Sequence, residues 1–291
     1  MPDVKKQCED RKKLCRTLNK NINVTENPVQ NKENTVLFIG MSKIDIGKLI
    51  ILNQLLKCTY KCIIGIDKKY YKNDNEFNND IKKHSDYIKK NLNADIDKFI
   101  NIPKTYLDNN ELIKSYGKKI ENFNGRWQQN PSKLGSIEWF NKSEYEYMWY
   151  IEDDVYCKNF DLFLDEYTNM KDDLICTCFQ IGSLPNWFNI NWRVGDKAHG
   201  FVLFHLYVCR YSKQYSNNFC KFLKESKTTS HHEIFVPYVL NYYHLNHTNL
   251  LEKHRKNVNT YDDRHKNFYN ISDNDVNKKD AEIFHPFKIK K

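Results

Sequence analysis

Nothing in the 291 residues approaches a membrane span, because no apolar stretch runs uninterrupted for the roughly 20 residues that a bilayer requires. The opening residues are polar and lack the apolar core of a signal peptide. The expectation is a cytoplasmic or otherwise soluble intracellular protein. The nine cysteines (Cys8, Cys15, Cys58, Cys62, Cys157, Cys176, Cys178, Cys209 and Cys220) do not form the paired, short-spaced clusters with histidine that zinc requires. Their number is odd and most lie in apolar runs, which points to buried, reduced thiols. No nucleic-acid motif is present, and the basic residues are not gathered in one arm or helix face, so nucleic acid is not an expected partner. There is no repeat, no Gly/Ser linker and no Gly-rich phosphate loop. Four glycosylation sequons begin at Asn23, Asn141, Asn246 and Asn270, as chance provides in so asparagine-rich a chain.

What is present is aromatic. Nineteen Tyr and 17 Phe can build a sizeable core even though the mean hydropathy is low. The net charge of +9 favours an anionic ligand such as a nucleoside diphosphate.

Residues 1–34 are polar and without periodicity, and read as a loosely ordered leader. Thr35-Val-Leu-Phe-Ile-Gly40 is a short apolar run of the kind a buried parallel strand shows. Residues 44–56 carry apolar side chains at helical spacing, and Tyr60–Asp67 is a second strand ending in an acid. Strand, helix and strand in so short a span make one βαβ unit. Helices are expected near 79–92 and 109–121, and over 132–142 with Leu134, Ile137, Trp139 and Phe140 facing inward. A third strand covers 146–151. A short helix follows over 160–170, with Asp161 as its expected N-cap. Strands over 173–179 and 200–208, a helix over 213–224 and a short apolar segment at 234–240 complete the pattern. The fold class is α/β: a single Rossmann-like domain over 35–291 with a mostly parallel central sheet flanked by helices. Ligands of such sheets bind at the carboxyl ends of the strands, where Asp67 and the acids 152–154 stand.

Met148-Trp-Tyr-Ile-Glu-Asp-Asp-Val155 is the most informative segment. Three carboxylates side by side at a strand end repel one another. A hard cation relieves that repulsion, and Mg²⁺ or Mn²⁺ takes one or two carboxylates and completes its shell with phosphate and water. The bland reading, a solvated acidic turn, has equal weight on the residues alone.

Trp149-Tyr-Ile-Glu-Asp-Asp-Val155 resembles the metal-binding DxD motif of GT-A glycosyltransferases, in an E-D-D form. The resemblance extends over 35–288 and is specific at 148–155. It implies that Asp154 holds Mn²⁺ (or Mg²⁺), that Glu152 faces the ribose or base, and that Asp153 belongs to the same cofactor site. It further implies that Asp67 contacts the nucleoside and that the helix bearing Lys133 serves the nucleotide half, 35–155. In the acceptor half, 156–291, His231-His-Glu-Ile-Phe-Val-Pro237 resembles the acceptor-side acid segment, making Glu233 the implied base. Phe284-His-Pro-Phe-Lys288 supplies His285 as an implied metal ligand and Lys288 as a charge for the diphosphate. Gly200, after His199, would let the backbone approach the sugar, with Trp187 and Trp192 as stacking faces.

The implied activity is transfer of a hexose or pentose from a nucleotide-diphosphate sugar, a UDP-sugar foremost, to a hydroxyl of a glycan or other acceptor. Two other readings stay open. One is a metal-dependent nucleotidyltransferase or phosphohydrolase using the same acids. The other is a non-catalytic carbohydrate-binding protein on a degenerate transferase fold.

Overall fold

Val36, Leu37, Phe38 and Ile39 are all fully buried, on both sides of one strand. A run of β-branched and aromatic residues with no polar alternation can only sit in the middle of a covered sheet. The computed structural model, which describes residues 32–108, 111–112, 131–180, 202–226, 236, 239–240, 242–251, 254 and 283–284, places that run there. The strand is β1 (Thr35–Met41), flanked by β2 (Lys61–Asp67) and β4 (Tyr147–Glu152), both parallel to it. Beyond them lie β3 (Lys104–Leu107), β6 (Leu174–Gln180), β7 (Val202–Ser212) and β8 (His247–Asn249). The seven-stranded order is β3-β2-β1-β4-β7-β6-β8, and only β7 runs against its neighbours. A two-stranded antiparallel ladder joins β5 (Tyr156–Cys157) to β9 (Ile283–Phe284).

Successive side chains of a strand point to opposite faces, and the core divides accordingly. Leu37, Ile39, Trp149 and Ile151 face α1 (Ile46–Leu55), α2 (Asp74–Lys82), α3 (Ser85–Asn91), α4 (Ile96–Ile100) and α6 (Phe160–Asp165). Val36, Phe38, Met148 and Tyr150 face α5 (Pro131–Lys142) and α7 (Lys213–Ser226). The sheet is thus covered on both faces: an α/β domain with a mostly parallel central sheet flanked by helices.

The chain departs from the sequence expectation in several places. The helix expected over 79–92 is two helices, and it begins earlier because Asn73 caps it, accepting from the Glu76 amide at 3.1 Å. The α4 turn, capped by Asp95, and the four-residue β3 are additional elements. Both are too short for periodicity to register. The cap of α6 is Asn159, which accepts from the Leu162 amide at 3.1 Å, and not Asp161. Asp161 instead reaches the α1–β2 turn, accepting from the Thr59 amide and hydroxyl at 2.9 and 2.8 Å and from Cys58. That helix ends at Asp165, short of residue 170. Trp139 is only partly buried, while Leu134, Ile137 and Phe140 are buried as expected. Most of 109–121 and of 234–240 lies outside the described residues. Cys58, Cys62, Cys157, Cys176, Cys209 and Cys220 are free thiols, and burial pushes Cys62 and Cys209 up to about 12, where they stay protonated and inert.

Gly65, opposite Gly40 in the β1–β2 register, has the Phe38 ring across its Cα, so an added Cβ would overlap that ring. Overpacking a dense interior costs roughly 1–3 kcal/mol. Gly65→Ala is therefore expected to lower the urea midpoint by a corresponding amount, and Phe38→Leu in the same chain to restore part of it. An unchanged midpoint in Gly65→Ala would refute the close approach.

Candidate functional site

Parallel strands that start together end together, and the register sets three ends side by side. Gly40 of β1 lies opposite Gly65 of β2 on one side and Glu152 of β4 on the other. A cleft of about 210 Å³ opens over these ends. Gly40, Met41 and Ser42 line it from β1 and its turn, Asp67, Lys69 and Tyr70 from β2, and Tyr150 and the acids 152–154 from β4. Gly40 has to be glycine for a local reason: a Cβ there would overlap the Tyr150 hydroxyl.

The acidic triplet is not a loose turn. Glu152 shares the parity of Tyr150 and so leans towards α5, where Lys133 Nζ lies 2.5 Å from Glu152 Oε1. Lys133 is 3% exposed and sits 5.8 Å from the Tyr150 ring centroid. Asp153 lies beyond β4, in the turn that follows it, and leans towards α1. Its Oδ2 accepts from the Ser42 amide at 2.6 Å and the Ser42 hydroxyl at 2.5 Å, with Lys48 Nζ at 3.6 Å. Burial raises the Asp153 carboxyl above its ordinary value, Lys48 and Ser42 pull it back, and neighbouring Asp154 raises it further. Asp154 follows in the turn and faces the cleft.

Asp67, 6% exposed, accepts from the Lys69 amide at 2.9 Å and pairs with Lys69 Nζ at 3.4 Å. The same Nζ lies 4.7 Å from the centroid of the Tyr70 ring, which is 41% exposed at the mouth of the cleft.

Asp67, Glu152, Asp153 and Asp154 therefore line one cleft, and Lys133 reaches it through Glu152. Glu233, Gly200, His285 and Lys288, with Trp187, Trp192 and His199, lie outside the described residues. Sequence reasoning missed Ser42, Lys48, Lys69, Tyr70 and Tyr150. All but Lys48 stand within three residues of a strand end, and that position alone could have flagged them.

Among the described residues, no three carboxylate, imidazole or thiolate groups converge into a self-sufficient metal cage. The available oxygen donors suit a hard divalent cation that takes one or two carboxylates and shares the rest of its shell with phosphate and water. No helix among the described residues is long and apolar enough to cross a membrane.

No protein-family profile matches the chain. No curated protein matches it by sequence. Solved structures that overlay on it include a protein of Bacillus anthracis described as a glucose-1-phosphate thymidylyltransferase, in complex with sucrose. Identity is 12% and the TM-score 0.38, over 75% of this chain and 86% of that one. A second is the 4-diphosphocytidyl-2C-methyl-D-erythritol synthase of Anaerococcus prevotii, at 11% identity and a TM-score of 0.39, over 75% and 89% of the two chains.

Two predictions follow from the charges. Removing one member of a buried ion pair costs roughly 3–5 kcal/mol. Glu152 keeps 23% side-chain exposure, so Lys133→Met is expected to cost about 2–3 kcal/mol in urea unfolding. No loss of stability would mean that the pair contributes nothing.

Asp153 binds its proton more tightly folded than unfolded, so its contribution to stability is complete at low pH and is lost as pH rises through its folded value. Asp153→Asn carries no such titration. The melting temperature of Asp153→Asn minus that of the unaltered protein should become more positive from pH 4 towards neutrality, and a difference that falls with pH would contradict the assignment.

Proposed function

We propose that the chain is a metal-dependent glycosyltransferase that moves a sugar from a nucleotide-diphosphate donor to a hydroxyl of a glycan or other acceptor. The observation that carries this reading is the convergence of carboxylates from β2 and β4 on one cleft at the carboxyl edge of a parallel sheet. Carboxylates there accept hydrogen bonds from ribose hydroxyls and base N–H groups, and Glu152 and Asp67 take that part. Tyr70 offers a flat exposed face beside Asp67 for the base.

Asp154 is the ligand for Mn²⁺ or Mg²⁺, with His285 as its partner from the acceptor half. When bound, the cation supplies Lewis-acid stabilisation of the charge that develops on the leaving diphosphate. Lys288 adds a positive charge on the same side, Gly200 admits the sugar, and Glu233 accepts the proton of the attacking hydroxyl. These four residues enter through the resemblance of their segments to GT-A enzymes.

A nucleotidyltransferase would use the same strand-end acids, and the products separate the two. Sugar transfer releases a nucleoside diphosphate, whereas nucleotide transfer from a triphosphate releases pyrophosphate.

The first test is the melting temperature with UDP, GDP and UDP-sugars, each with and without Mn²⁺. A ligand at roughly one hundred times its Kd stabilises by about 2.7 kcal/mol, a shift of roughly 5–10 °C for a chain of this size. The shift is expected to need both nucleotide and metal. Asp154→Asn should abolish it while leaving the unliganded melting temperature within about 2 °C. A full shift in Asp154→Asn would remove the metal assignment, and no shift with any pair would remove the nucleotide site.

A further inference from the structure

The turn between β1 and α1 forms one wall of the cleft, and the end of β4 forms the facing wall. Three contacts join them, all at one atom: the Ser42 amide, the Ser42 hydroxyl and the Lys48 ammonium on Asp153 Oδ2. Lys48 Nζ also donates to the Lys43 carbonyl at 2.5 Å and pairs with Asp45 at 3.2 Å. Asp45 in turn caps α1 through the Lys48 amide at 3.0 Å. The lysine is therefore a hub that closes the turn on itself and on Asp153. The far side of the turn is held separately, by the Ile44 amide donating to the Tyr71 hydroxyl at 2.9 Å, which itself donates to Asp80. Between these two tethers the turn has a defined position, and the Asp153 tether is the one that joins it to the end of β4 through Ser42 and Lys48.

We propose that Asp153 is a positioning residue. It acts by clamping the β1–α1 turn to the end of β4 through Ser42 and Lys48, and so sets the width of the cleft between Ser42 and Asp154. The proposal rests on the reading of this cleft as a nucleotide site. It departs from the sequence expectation that all three acids face the ligand. Hydrogen bonds to a charged acceptor are strong, and two of them converge on Oδ2 from the backbone amide and the hydroxyl of one residue. Spending that carboxylate oxygen on the turn fixes a backbone segment that a ligand would otherwise have to order for itself.

Asparagine and alanine at position 153 divide the two roles. The amide oxygen of Asn still accepts from the Ser42 amide and hydroxyl, but it is a poor cation ligand. Alanine offers neither. The measurements are the Kd of UDP at saturating Mn²⁺ by calorimetry, the Mn²⁺ concentration giving half-maximal UDP binding, and hydrogen exchange at the Ser42 amide without ligand, all on the full chain.

The clamp requires Asp153→Asn to hold UDP within about threefold of the unaltered protein and Asp153→Ala to weaken it roughly tenfold. The Mn²⁺ requirement should stay unchanged in Asp153→Asn. Exchange at Ser42 should quicken roughly tenfold in Asp153→Ala and little in Asp153→Asn. Equal loss in both variants, with a raised Mn²⁺ requirement, would overturn the proposal and make Asp153 a ligand. Unchanged exchange at Ser42 in Asp153→Ala would overturn it as well. If the unaltered protein bound no nucleotide with any metal, the nucleotide reading would fall, and with it the link from clamp to affinity. The exchange result would still decide whether the clamp exists.

Discussion

Three adjacent carboxylates at the end of a buried strand are the constraint around which this fold is arranged. Close like charges in a partly dry setting cannot all stay ionised without compensation. The chain supplies the solution by turning where β4 ends, after Glu152, so that Glu152 and Asp153 find partners on opposite faces of the sheet. Glu152 meets Lys133 from a helix on one face, and Asp153 meets Lys48 and Ser42 from the helix and turn on the other. The two helices that cover β1 and β4 therefore do more than bury their apolar faces. Each sends one lysine to the same strand end, from opposite sides.

That arrangement needs rigid supports, and the sequence provides them at some distance. The β1–α1 turn hangs on Tyr71, whose hydroxyl is held by Asp80 of α2 and Lys83 behind it. The α1–β2 turn hangs on Asp161 of α6, and Tyr60 donates to Asp165 at 2.9 Å on the same helix. On the same face of the sheet, Arg210 of β7 is buried and donates to the carbonyls of Tyr167 and Met170, just beyond α6. Burial lowers its guanidinium to about 10, which still leaves it charged at neutral pH. Polar side chains thus hold turns whose backbones would otherwise drift, while the aromatic core holds the elements between them.

The large features were legible because they repeat a period. The mostly apolar runs at 35–40 and 60–67, and the run ahead of Glu152, mark central parallel strands, and the latter two end in acids. Residues 132–142 and 213–224 show helical spacing and are helices within two residues at each end. What failed was short or relational. A four-residue strand after Pro103 has no measurable period, and its pairing with β2 is decided by the sheet. Asp161 and Asn159 are equally good caps on paper, and the choice fell to Asn159 because Asp161 had a turn to hold. The antiparallel direction of β7 leaves no mark in its composition. Most telling is Asp153: three acids in a row look alike as letters, and what separates them is that the strand ends at Glu152 and the chain turns at Asp153 and Asp154.

The same division of partners bears on what a metal can be to this protein. In a structural metal site the ligands repel until the ion arrives, so folding and metal binding are one event. Here Lys133 and Lys48 already sit against two of the three carboxylates. The fold is thus relieved of most of that repulsion by its own covalent chain, and any cation at Asp154 answers to the ligand and not to the fold. A cation held that way is most stable when an anionic group completes its shell. Two lysines and one serine, reaching the end of β4 from both faces of the sheet, are therefore enough to turn a cluster of like charge from a folding liability into a settled edge of the cleft.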